Sequence, residues 1–87
     1  MWTAETIHEF VKEHPLEDEE ATVTSGSSEG DEYLEIRLFY WPHKKRVVLA
    51  ALRFAYHAVY KDPDCTRVYL ESRRIYVRFY TQFYGPD

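Results

Sequence analysis

Four arginines and five aromatic residues at alternate positions of three β-prone stretches are the chain's strongest candidates for chemistry. They are Arg37, Phe39 and Trp41; Arg67 and Tyr69; and Arg74, Tyr76, Arg78 and Tyr80. Side chains of a strand project to opposite faces with period two, so all nine are expected together on one outer face of a sheet. A guanidinium offers a planar fork of donors and stacks on rings, and a ring face attracts cations. Three uses follow. The groups pair across strands, Tyr with Arg and Glu35 or Glu71 with Arg, at about 0.2–1 kcal/mol each. Alternatively they form a contact face for a protein partner, a second copy first, or they stack the bases of a single strand.

Nucleic acid is the weakest of the three. The expected topology resembles the sheet platform of an RNA-recognition motif, but Arg74-Ile75-Tyr76-Val77-Arg78-Phe79-Tyr80 lacks the glycine after the basic residue and the second small residue of that motif. The net charge is −4 and it is unevenly spread: residues 1–35 hold eleven acids and one base, residues 36–87 ten bases and four acids. In a domain this small the two halves lie within one or two Debye lengths and neutralise each other.

The remaining reactive groups form no pattern. Cys65 would be a nucleophile only beside a base such as His57, and its surroundings carry no nucleophile signature; a small core residue is the expected role. His8, His14, His43 and His57 lack the HxxxH spacing or the CxxC companion of a zinc site, so no metal is expected. Glu17-Asp18-Glu19-Glu20 and Asp62-Pro63-Asp64 lack the ordered oxygens and glycine turn of a calcium loop. No GxxxxGK[ST] phosphate loop occurs. No catalytic residue and no cofactor is assigned.

Six elements must position these groups. Thr3 caps a helix over about residues 4–14, with Trp2 and Ile7 as a hydrophobic staple and Ile7, Phe10, Val11 and His14 as its apolar stripe, ended by Pro15. After an acidic connector from Leu16 to Glu20, residues 21–24 read as a short edge strand and 25–31 as a flexible hairpin loop. Residues 33–41 form a long strand with Leu34, Ile36, Leu38 and Tyr40 on one side. Residues 43–61 form the main helix, with Pro42 in its first turn and Val47, Val48, Ala51, Leu52, Ala55, Ala58 and Val59 towards the sheet. Leu49, Tyr56 and Tyr60 fall on its polar side and are candidates for contact with a second subunit. Residues 66–71 form a short strand, and 74–84 the organising one, with Ile75, Val77, Phe79 and Phe83 on its dry face and Thr81 among them.

The order αββαββ gives one α+β domain, a two-layer sandwich with both helices on one face of a four-stranded sheet. The longest and most apolar strands, the second and fourth, belong in the centre, giving the order 1-2-4-3 with those two parallel, a ferredoxin-like arrangement by circular permutation. The alternative is a curved antiparallel meander, 1-2-3-4, wrapping the helices. No apolar run nears the ~18 residues of a membrane span. No leader peptide is visible, and a lone Cys65 fits a reducing compartment, so a soluble chain consistent with cytoplasmic expression is expected.

With its stapled and capped first helix, strands and helices of matching period and prolines at helix boundaries, the chain resembles a computationally designed α/β protein. That resemblance implies a stand-alone folded scaffold with no enzymatic activity and no required partner. A small binding module using the Tyr/Arg sheet face is the alternative.

Overall fold

Thr3 is extended, and its hydroxyl accepts the Thr6 amide at 3.1 Å while the Thr6 hydroxyl accepts the Thr3 amide at 2.8 Å. This reciprocal cap satisfies two donors that a helix start leaves open. Helix α1, Ala4–Glu13, follows, and it stops at His14 ahead of Pro15, as expected. The computed structural model describes residues 1–16 and 20–81; the connector residues Glu17, Asp18 and Glu19, and the end from Gln82 to Asp87 with Phe83, lie outside the described residues.

The first hairpin corrects the sequence reading. Strand β1, Glu20–Ser28, pairs along its whole length with β2, Asp31–Phe39, so most of the supposed loop is strand. Glu29 (φ 54°) and Gly30 (φ 88°) make the two-residue turn, and positive φ at both positions is what a tight twisted hairpin demands. Ser25-Gly26-Ser27-Ser28 has little strand preference of its own; the partner strand imposes it.

Helix α2 is Lys45–Lys61, two residues shorter than expected at its start. Trp41 to Lys44 form a turn closed by the Lys44 amide on the Trp41 carbonyl (2.9 Å), so Pro42 precedes the helix. Strands β3, Thr66–Glu71, and β4, Arg74–Tyr80, form the second hairpin, whose turn places Arg73 at φ 68°.

The sheet order is β1-β2-β4-β3, as expected and not the meander. The expected parallel pairing of β2 with β4 is wrong: they are antiparallel, with Glu35 opposite Arg78. The chain runs along β2, back through α2, forward along β3 and back again along β4. The parallel relation therefore holds between β2 and β3, with β4 inserted between them.

Leu38, Ile75, Val77 and Phe79 are fully enclosed under the helices and Ile36 nearly so, with Leu34 and Tyr40 partly buried against them, which is most of the expected dry face. Trp2, Phe10, Phe54 and Phe79 meet edge to face at centroid distances of 4.7–6.4 Å. The Trp2 indole donates to the Thr66 hydroxyl (2.8 Å), which donates to the Asp62 carbonyl (2.6 Å), tying the start of α1 to the end of α2 and the start of β3. On α2 the buried residues are Val47, Ala51, Phe54, Ala55 and Ala58; Leu52, expected inside, is 41% exposed, and Phe54 takes the central place. The helical cover stops short of β1, where Val23 on the helix side is 61% exposed.

Candidate functional site

Eight of the nine sequence-predicted residues share the sheet face opposite the helices, and the antiparallel register arranges them in rows. One row runs Glu71, Arg74, Phe39; the next Tyr69, Tyr76, Arg37, Thr22; the third Arg67, Arg78, Glu35, Thr24; the last Tyr80, Tyr33, Gly26. Trp41 lies beyond the end of β2, against Phe39 and beneath the Arg73 guanidinium.

Glu35 is the centre of this face. It is 1% exposed although it lies on the uncovered side of the sheet, because arginine and tyrosine side chains close over it. The Arg37 Nε donates to one carboxylate oxygen at 2.5 Å and the Arg78 Nε to the other at 2.8 Å. Burial pushes the Glu35 carboxyl upward, but the bonds from Arg78 and Arg37 outweigh it and hold the group below its ordinary value. The same bond raises Arg78 still further, so the pair stays ionised.

The rings complete the structure. The Arg78 guanidinium lies 4.3 Å from the Tyr33 centroid and 4.8 Å from that of Tyr69, and Tyr33 packs on Tyr80 at 5.3 Å. Arg37 sits over Tyr76 (5.4 Å), Arg74 over Phe39 (5.8 Å), and the Tyr76 hydroxyl donates to Glu71 (3.0 Å). Arg67, directly across from Arg78, turns away and donates to the carbonyls of Pro63, Asp64 and Thr66, which separates two like charges. The pairing with arginine expected of Glu35 is thus present, while Glu71, the cross-strand neighbour of Arg74, accepts from Tyr76. Tyr33 was missed: its ring lies so close over Gly26 that a Cβ there would meet the Tyr33 hydroxyl at 2.7 Å.

Other candidates separate from this face. Cys65 is half-buried against the core, and its thiol is pushed up by burial and by the nearby Asp62 and Asp64 carboxylates, the reverse of an activated nucleophile. His57 lies against His14 instead, the two rings tilted with centroids 4.9 Å apart. Among the described residues no group of three or more His, Cys, Asp or Glu is placed to hold a metal ion, and no helix is long and apolar enough to cross a membrane.

The outer side of α2 carries several exposed large hydrophobic side chains. Leu49 (51%), Leu52 (41%), Tyr56 (73%) and Tyr60 (82%) lie at spacings of three and four residues and so share one helix face. Leu49, Tyr56 and Tyr60 were the sequence candidates for subunit contact; Leu52 joins them because α2 turns it away from the sheet. No family model, curated protein or solved structure matches the chain.

Proposed function

We propose that the chain is a non-catalytic folded scaffold of the designed α/β type, acting through protein–protein contact on the outer stripe of α2, with a second copy as first partner. The antiparallel order β1-β2-β4-β3 is that of a ferredoxin-like sheet entered at a different point of the chain. The observation that carries the contact reading is the exposure of Leu49, Leu52, Tyr56 and Tyr60 along one helix face. Tyrosine-rich apolar surface of this kind is characteristic of interface centres. The stripe is also self-complementary: a second α2 laid antiparallel across a two-fold axis brings Leu49 to Tyr60 and Leu52 to Tyr56.

The sheet face supports this assignment by being occupied with itself. Arg37 and Arg78 are committed to Glu35, and an approaching phosphate would meet the Glu71 carboxylate on the same face. Nucleic acid therefore ranks below protein contact. Sedimentation equilibrium of the native chain and of a Tyr56→Glu, Tyr60→Glu variant tests the reading. Concentration-dependent dimer in the first and monomer in the second, with equal helix content, supports it. A native chain that stays monomeric at millimolar concentration overturns it.

A further inference from the structure

The fold brings two histidines from distant parts of the sequence together, and we infer that His14 and His57 form a two-imidazole site for a borderline divalent cation such as Ni²⁺, Cu²⁺ or Zn²⁺. Neither residue has metal-ligand spacing in the sequence, because they are 43 positions apart and meet only through the packing of α1 against α2. Their ring centroids are 4.9 Å apart with planes inclined at 30°. Two imidazoles bound to one ion at metal–nitrogen distances of about 2.1 Å and a roughly tetrahedral angle have centroids about 5 Å apart. The observed centroid spacing matches that of a chelating pair.

The surroundings of His14 fix its chemistry as well as its place. The His14 Nδ1 lies 3.1 Å from the Phe10 carbonyl, which can only accept, so Nδ1 is the donor and in the neutral imidazole Nε2 is the ligating nitrogen. A ligating histidine almost always donates its other nitrogen in this way, to a carbonyl or carboxylate that fixes tautomer and ring orientation. The imidazole is also stacked on the buried Phe10 ring at 4.3 Å and 30°, which limits its rotation. Its partner is on the exposed side of α2, so the pair is open to solvent and water fills the remaining positions of the ion. Imidazole nitrogens suit Ni²⁺, Cu²⁺ and Zn²⁺ and leave Mg²⁺ and Ca²⁺ unbound.

An ion held between the residue that ends α1 and helix α2 stabilises the folded chain by linkage. With NiCl₂ at about a hundredfold its dissociation constant, the melting temperature should rise by roughly 10 °C or more. The experiment is a thermal melt of the whole chain with NiCl₂, ZnCl₂ or MgCl₂, repeated for His14→Gln, His57→Gln and His8→Gln. The shift should appear with Ni²⁺ and Zn²⁺, be absent with Mg²⁺, vanish in either His14→Gln or His57→Gln, and persist in His8→Gln. Imidazole resonances of His14 and His57 should move together on adding Zn²⁺ at one equivalent. A native chain with no shift, or a shift retained in both His14→Gln and His57→Gln, overturns the assignment.

Discussion

Glu35 decides the character of the sheet face. A carboxylate enclosed under two arginines is stabilising only while both bonds stand; removing its charge leaves Arg37 and Arg78 facing each other. Glu35→Gln keeps the shape and is expected to cost about 2–3 kcal/mol by chemical denaturation, below the full range for a buried pair because Arg37 is half exposed. The pH dependence has a definite sign. The folded-state value of Glu35 lies below the ordinary one of about 4.3, so its contribution is complete above that pH and disappears as pH falls through the lowered folded value. Acid titrations of stability should be shallower for Glu35→Gln than for the native chain, and parallel slopes would contradict the assignment. At Gly26 the Tyr33 ring, held by Tyr80 and Arg78, leaves no room for a methyl group. Gly26→Ala should lose about 1 kcal/mol, and the loss should disappear in a Tyr33→Ala background. The alternation of Arg and aromatic positions was enough to place eight residues on one face. It was not enough to show that Glu35 is enclosed, because that depends on Arg78 lying opposite, and the register of β2 on β4 is a long-range property.

Elements differ in how far their own residues specify them. Helix α1 carries its start and stop in the sequence: Trp2, the Thr3–Thr6 cap and Pro15. Helix α2 does not. Its N-cap Lys44 makes no side-chain bond, and its first turn holds no acid and begins with Lys45 and Arg46, cations at the positive end of the helix dipole. The expected start at His43 failed for this reason, since no capping residue marked the true one. Lys44→Asp should stabilise the protein by about 1 kcal/mol, raising the melting temperature by roughly 4 °C or more. The β1–β2 hairpin was misread for the opposite reason, because a serine- and glycine-rich stretch became strand only through its partner. Its turn is still improvable: Glu29 occupies a left-handed position that asparagine adopts more readily. Glu29→Asn should raise the melting temperature by a few degrees, with an unchanged circular dichroism spectrum.

At the scale of the molecule, one side of the sheet lies under helices and the other is closed by its own arginine, tyrosine and glutamate contacts. An exposed run of apolar and tyrosine side chains, Leu49, Leu52, Tyr56 and Tyr60, remains on the far side of α2. The dry-face residues Ile36, Leu38, Ile75, Val77 and Phe79 were all legible from period two, because every one is buried by the same layer. Leu52 was expected inward and is exposed, while Phe54, assigned to neither side, is buried, since helical period alone does not settle which large residue at the margin of a stripe turns inward. The most direct measurement of the account is a dilution series followed by amide and aromatic NMR. Resonances of Leu49, Leu52, Tyr56 and Tyr60 should shift with concentration while those of Tyr69, Tyr76 and Arg78 stay fixed. Shifts confined to the sheet face, or none at any concentration, would contradict it.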